Sequence, residues 1–253
     1  MRSIVDSPGL LFALCLPTLW LSAQIGAFLS QRLRPLDETE RPDFDLVLTA
    51  TLTLLALIIG FSFSMVISRY DQRKNYEEAE ANAIGTEYLR ADLLPAADAA
   101  KVRESLRSYL DQRVRFYETS DELQLGQIDT QTAKLQTELW TIVQVAAAKQ
   151  PTATVALAVS GMNDVLNSQG YTQAAWWNQM PIPAWILLVV IAILSNLLIG
   201  YGSRRKSILL FLTLPLAISI SFFLIADISS PRHGLIRVLP QNLLSLAQSL
   251  RAQ

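Results

Sequence analysis

Four apolar stretches, each close to 20 residues long, constrain this chain more than any other feature of its sequence. They cover residues 9–29, 46–67, 182–200 and 208–226. An α-helix needs about 20 apolar residues to cross a hydrocarbon core that is about 30 Å thick. Inside a bilayer the backbone polar groups have no water to bond, so a spanning segment of this kind must be helical. The sequence therefore predicts an all-α membrane protein with four transmembrane helices.

The spans divide the chain into four predicted regions. A first transmembrane hairpin covers residues 1–68, and an extramembrane helical segment covers 69–180. A second transmembrane hairpin follows at 181–228. An amphipathic tail, predicted to dock on the helical segment or on the membrane surface, completes the chain at 229–253.

The segment 69–180 carries a helical pattern. Its apolar residues recur three and four positions apart in two stripes, which predicts helices that each bury one face. We expect these helices to form a bundle that packs on itself or on a neighbouring subunit. Residues 69–94 contain no proline, so the second span is expected to continue as one long helix. The stripes are Val102, Leu106, Tyr109, Leu110, Val114 and Tyr117, and then Leu125, Ile128, Leu135, Leu139, Ile142, Val143 and Ala146.

Charged residues are frequent just after the second span. Acidic and basic residues lie three and four positions apart there, which is typical of ion pairs on a solvated helix face. We therefore interpret them as exposed pairs rather than as a catalytic pair of carboxylates. They are Glu77, Glu78, Glu80, Glu87 and Asp92, with Arg73, Lys74 and Arg90.

Composition argues against several classes of function. The net charge is −1, so the chain lacks the basic excess that favours nucleic-acid binding. With one cysteine, Cys15, and one histidine, His233, a single chain cannot form an internal disulfide or a His/Cys zinc site. Common nucleotide-binding, hydrolase and metalloprotease motifs do not occur. We expect no enzymatic activity, catalytic residue, cofactor, metal site or nucleic-acid partner.

The second span has a face of small residues. Ala56, Gly60, Ser64 and Ser68 recur every four positions. Such a face lets helix backbones approach closely in a membrane, so we predict that it serves helix packing.

A second row lies beside the small face. Thr53, Leu57 and Phe61 are also four residues apart. From spacing alone, these two rows indicate that the second span is a well-packed helix with basic residues that anchor it at the membrane surface. The basic residues after the span are Arg69, Arg73 and Lys74.

Three stretches of the chain resemble a known family. Residues 57–71, 82–95 and 226–236 are similar to a family of bacterial membrane proteins described as bestrophin-like. The pair Gly60-Phe61, followed by Arg69 eight residues after the phenylalanine and then by Tyr70, also resembles the pore helix of the bestrophin anion channels.

This resemblance implies a fold and a function. In bestrophins the second span lines a pentameric pore, so the resemblance implies an apolar constriction at Thr53, Leu57 and Phe61. The basic residues Arg69, Arg73 and Lys74 would then concentrate anions at its mouth. The implied partners are the lipid bilayer, inorganic anions and further copies of the chain. The implied location is a bacterial inner membrane, with both termini and residues 69–180 in the cytoplasm.

Two hypotheses from different classes follow. The first is a bestrophin-like oligomeric anion channel with the second span around the pore. The second is a non-conducting membrane scaffold or sensor whose helical segment, 69–180, binds a partner or ligand. Basic residues flank the spans in equal numbers on the two faces of the membrane, so charge alone leaves the orientation open.

Overall fold

The structure, a computed structural model, describes residues 7–32, 36–203 and 208–252. Of these described residues 87% are helical, and none of them forms a strand. Four helices are long and apolar enough to cross a membrane. The predicted all-α fold with four transmembrane helices and a helical bundle is confirmed.

The described residues form eight α-helices and one short 3₁₀-helix. In chain order they are α1 (Pro8–Arg32), α2 (Arg41–Arg90), a 3₁₀-helix (Ala91–Leu93), α3 (Ala96–Glu118), α4 (Glu122–Lys149), α5 (Ala153–Trp177), α6 (Ile182–Gly202), α7 (Ile208–Ser229) and α8 (Gln241–Arg251).

Helix α2 is the longest element of the molecule. Its 50 residues extend about 75 Å at about 1.5 Å per residue, which is more than twice the thickness of the hydrocarbon core. The apolar stretch 46–67 occupies its first half. The predicted continuation of the second span into one long helix is therefore correct.

The chain divides into two compact units. Unit 1 contains Met1–Arg69 and Gln179–Arg237, and unit 2 contains Tyr70–Asn178 and Val238–Gln253. Helix α2 contributes its first half to unit 1 and its second half to unit 2. The four-part division made from the sequence stays a prediction.

In unit 1, α1 packs against α6 and α7. Two glycines bring α1 and α6 together: a Cβ atom on Gly26 would overlap the backbone carbonyl oxygen of Leu197, and one on Gly200 would overlap that of Ala23. Because only a glycine fits at either position, the two backbones are in direct contact, as is common between membrane helices.

Unit 2 has a hydrophobic core formed by all of its helices. Both stripes predicted from the sequence line this core, with Leu106, Tyr109 and Leu139 fully buried. Helix α8 docks on the same core through Leu243, Ala247 and Leu250. The amphipathic C-terminal helix therefore docks on the bundle.

Two side-chain caps fix where the helices of the bundle begin. The Asp121 carboxylate accepts the backbone N–H of Leu123 at 2.9 Å at the start of α4. The Thr152 hydroxyl accepts that of Val155 at 3.2 Å at the start of α5. Each cap satisfies a backbone donor that the helix itself leaves unpaired.

Candidate pore helix and its anchoring

The membrane half of α2 is exposed in the single chain. Phe61 is 72% exposed and Leu57 is 51% exposed, and Thr53 on the same face is exposed as well. Only 11% of the apolar window of this helix is buried, against 33% for α1 and 50% for α7. The other spans therefore pack within unit 1, whereas α2 presents its apolar side chains outward.

The face of small residues is exposed too. Ala56, Gly60, Ser64 and Ser68 all lie at the surface of unit 1, and a Cβ atom added to Gly60 would have no neighbour within 4 Å. The described part of a single chain thus leaves this face open to another helix. Its role in helix packing stays a prediction.

The three basic residues after the span lie in different surroundings. Arg69 is half-buried, and its Nη1 has no hydrogen-bond partner among the described residues. Arg73 is only 2% exposed, whereas Lys74 beside it is exposed. In the single chain, then, Lys74 faces solvent and Arg73 is buried.

The second half of α2 buries acidic residues. Glu77, Glu80 and Glu87 are all within 1% of complete burial, so their interpretation as solvated pairs is wrong. They share a helix face with the buried apolar residues Ile84 and Tyr88. Residues three and four apart lie on one side of a helix. The spacing of these glutamates from Ile84 and Tyr88 was therefore the sequence signal that could have predicted their burial.

Glu80 lies at the centre of a buried polar network. Its carboxylate pairs with the Arg113 guanidinium from α3, and both side chains are fully buried. It also accepts hydrogen bonds from the Thr172 hydroxyl of α5 at 3.1 Å and from the Tyr117 hydroxyl at 3.5 Å. One carboxylate therefore connects three helices of unit 2.

The Arg113 guanidinium is held in its charged form. Burial is the largest single effect and acts to lower its pKa, but the negative charge of Glu80, its hydrogen bond to Arg113 and the neighbouring tyrosines together raise the pKa above its ordinary value. The guanidinium also stacks over the Phe116 ring, 4.4 Å from its centroid. Burial, with the charge of Glu80 adding to it, raises the pKa of both Tyr109 and Tyr117. Both phenols therefore stay neutral in the network.

Glu77 anchors the C-terminal helix. Its Oε1 accepts the backbone N–H groups of Asn242 and Leu243 at 2.9 and 3.0 Å, and its Oε2 accepts the Asn242 side-chain amide at 2.6 Å. At the other end of α8, Arg107 donates to the Leu250 carbonyl at 3.2 Å. A negative charge at the N-terminus and a positive charge at the C-terminus both match the dipole of α8.

Glu87 lies seven residues after Glu80 and has no comparable partners. It is completely buried, and neither of its carboxylate oxygens has a hydrogen-bond partner among the described residues. Burial raises its pKa to about 8; the positive charge of Arg90 opposes the shift, and the negative charge of Asp164 adds to it. Glu87 is therefore mostly protonated at neutral pH.

The described residues contain no group of three or more His, Cys, Asp or Glu side chains that could hold a metal ion. The polar clusters above are built from ion pairs, hydrogen bonds and helix capping. They hold the helices of unit 2 around the second half of α2.

The comparison with known proteins assigns the family. The Bestrophin-like domain matches residues 10–243, so the chain belongs to the Bestrophin-like family. No curated protein matches it in sequence.

Solved structures share its fold. A bacterial bestrophin homolog from Klebsiella pneumoniae is 16% identical, with a TM-score of 0.63, and the match covers 95% of this chain and 94% of the other. A single-residue variant of a bestrophin homolog from the same organism is 14% identical with a TM-score of 0.67, covering 97% of this chain and 98% of the other. A structure described as a membrane protein variant is 16% identical with a TM-score of 0.65, covering 95% and 97%. The bestrophin resemblance seen in the sequence is confirmed at the level of family and fold.

Proposed function

We propose that the chain is one subunit of an oligomeric anion channel in which α2 lines the pore. The Bestrophin-like family and the fold shared with bacterial bestrophin homologs support a channel-like membrane protein. Inorganic anions are the proposed permeant species. The alternative is a non-conducting membrane scaffold or sensor whose helical segment, 69–180, binds a partner or ligand.

The exposure of the apolar face of α2 carries this proposal. Leu57 and Phe61 are large apolar side chains at the surface of a single chain, on the same face as Thr53. In a ring of subunits, the same face from each copy would meet around an axis. Rings of Leu57 and Phe61 would form a narrow apolar constriction, which can exclude water and so gate the passage of ions.

The small residues and the basic residues complete the proposed pore. Ala56, Gly60, Ser64 and Ser68 would let neighbouring copies of α2 approach closely. Lys74, together with Arg69 and Arg73, would raise the concentration of anions at the end of the constriction, since a ring of like charges attracts counter-ions. Of these three, Lys74 is the exposed cation in the single chain.

The first experiment is the subunit number of the detergent-purified protein, measured by native mass spectrometry. We expect a closed pentamer that persists across mild detergents. A monomer or dimer under the same conditions would contradict the proposal, because it would leave no axial pore for α2 to line.

The second experiment is anion flux from liposomes containing the purified protein. We expect Phe61→Ala to raise the flux because it widens the constriction. Phe63→Ala is the matched control, since two residues rotate the side chain by about 200° around the helix, at about 3.6 residues per turn. Equal flux for the two variants and the wild type, with pentamers intact, would contradict the pore assignment and favour a non-conducting scaffold.

The proposed location is a bacterial inner membrane, with both termini and residues 69–180 in the cytoplasm. A Glu78→Cys variant in a Cys15→Ser background tests this orientation, because Glu78 is exposed in unit 2. We expect a membrane-impermeant thiol reagent to label it only after the membrane is permeabilised. Labelling of intact spheroplasts would place residues 69–180 outside.

A further inference from the structure

Two buried carboxylates on α2 face α5, and they differ in how they are compensated. Glu80 has an arginine, a tyrosine and a threonine as partners. Glu87 is just as buried, but both of its oxygens lack a hydrogen-bond partner among the described residues. A buried ionised carboxylate without hydrogen bonds is very costly, and a protein usually avoids this cost by keeping the group neutral.

The packing around Glu87 is tight. Gly161 of α5 lies directly against its carboxylate, and a Cβ atom at Gly161 would overlap both the Glu87 Oε2 atom and the Arg90 side chain. The groups that act electrostatically on Glu87 are Arg90 from its own helix and Asp164 from α5. The acidic residues that follow on the 3₁₀-helix and α3 are engaged elsewhere: Asp92 pairs with Arg103, and Asp98 pairs with Lys149 at 3.6 Å.

We propose that Glu87 is a proton-binding site at the contact between α2 and α5, which packs the two helices together when neutral and loosens them when ionised. The geometry supports this because a neutral carboxyl can stay against Gly161, whereas a carboxylate there would need water or a fuller set of donors. The raised pKa of Glu87, about 8, places the change of state in the mildly alkaline range.

The consequence for transport rests on the proposed channel function. Glu87 lies on the same continuous helix as Leu57 and Phe61. Loosening the second half of α2 from α5 would free the helix to shift, and the constriction would widen. Flux is therefore expected to rise several-fold between pH 6 and pH 9.

The site itself is tested without any transport measurement. We would titrate the full-length protein by infrared difference spectroscopy and follow the C=O band of protonated carboxyl groups. The wild type should lose a protonated carboxyl band with a midpoint near pH 8, and Glu87→Gln should lack it. Glu78→Gln, an exposed neighbour on the same helix, is the matched control and should keep it. If Glu87→Gln retains the band, or if the wild type shows none above pH 6, the proposal is wrong.

Hydrogen exchange tests the loosening directly. Relative to Glu87→Gln at the same pH, backbone amides around residues 84–91 of the wild type should exchange several-fold faster at pH 9 and equally fast at pH 6. If the wild type and Glu87→Gln exchange equally fast at pH 9 as well as at pH 6, the proposed loosening is wrong.

Flux measurements then test the coupling to transport. Glu87→Gln should keep the pH 6 flux at pH 9, whereas the wild type and Glu78→Gln should both increase. An identical pH response in wild type and Glu87→Gln would refute the coupling. Absence of flux from every variant at every pH would contradict the channel assignment instead, while the infrared titration would still decide the proton site.

Discussion

The two units of this protein hold their helices together by different means. In unit 1, α1 and α6 meet backbone to backbone at Gly26 and Gly200. In unit 2, helices surround buried charges, and the Glu80–Arg113 pair lies at the centre. Lipid tails are as apolar as the side chains of a transmembrane helix, so close contact must replace the hydrophobic effect in unit 1. Unit 2 buries a large apolar core, and that burial can offset the desolvation of an ion pair.

The largest expected effect comes from breaking the ion pair of unit 2. Arg113→Met leaves Glu80 buried without its cation, which should destabilise unit 2 by about 3–5 kcal/mol. Thermal unfolding followed by tryptophan fluorescence checks this, because Trp176 packs against Phe116 and Tyr117 with ring centroids 5.0 and 5.3 Å away.

The matched control for that experiment is Arg115→Met, which removes an exposed arginine two residues away. This substitution should leave the midpoint of thermal unfolding unchanged. The double variant Glu80→Gln/Arg113→Met should recover most of the lost stability, because it removes the unpaired charge. An Arg113→Met protein as stable as the control would show that the ion pair is not what holds unit 2.

A smaller effect is expected from separating the two backbones of unit 1. Gly200→Ala adds a methyl group where the Ala23 carbonyl lies, so α1 and α6 must move apart. Overpacking of this kind costs about 1–3 kcal/mol. Gly170→Ala, where a new Cβ meets nothing within 4 Å, is the control and should be neutral or slightly stabilising. Equal unfolding midpoints for the two variants would contradict the proposed contact.

The smallest expected effect is the pH dependence of stability that Glu87 gives to unit 2. Glu87 has a pKa raised to about 8, above its ordinary value, so the folded state binds this proton more tightly than the unfolded state does. The contribution of Glu87 to the free energy of unfolding is therefore present at low pH and is lost as pH rises toward and through about 8. Between pH 7 and pH 8 the loss is roughly 1 kcal/mol, since one pKa unit corresponds to about 1.4 kcal/mol.

Unfolding midpoints measured at both pH values check this. Each kcal/mol shifts the midpoint by about 2–4 °C in a chain of this length. The Glu87→Gln protein should lose less stability than the wild type over the same interval. If the unfolding midpoint of the wild type falls no further between pH 7 and pH 8 than that of Glu87→Gln, the raised pKa assigned to Glu87 is contradicted.

Much of the fold could be predicted from the sequence. The spans follow from apolar length, the long α2 from a stretch without proline, and the bundle core from three-and-four spacing. These signals are local, so one sequence is enough to read them.

The buried charges could not be predicted in the same way. Acidic and basic residues three and four apart on α2 look like a solvated helix, whereas the actual partner of Glu80 is Arg113, 33 residues away, and Glu77 bonds to Asn242, 165 residues away. Partners at such separations depend on how the helices are arranged, which spacing along one helix does not encode. The exposure of Leu57 and Phe61 was likewise accessible only from the structure, although their row was evident in the sequence.

The anchoring of α8 by Glu77 has a consequence for the order of folding during synthesis. Helix α8 follows α6 and α7 in the chain, yet Leu243, Ala247 and Leu250 fill the core that α2 to α5 build before either of those spans has been made. Part of the apolar core of unit 2 therefore stays uncovered until α6, α7 and α8 have been synthesised. A chain that stalls between α5 and α8 would expose this apolar core to chaperones and proteases.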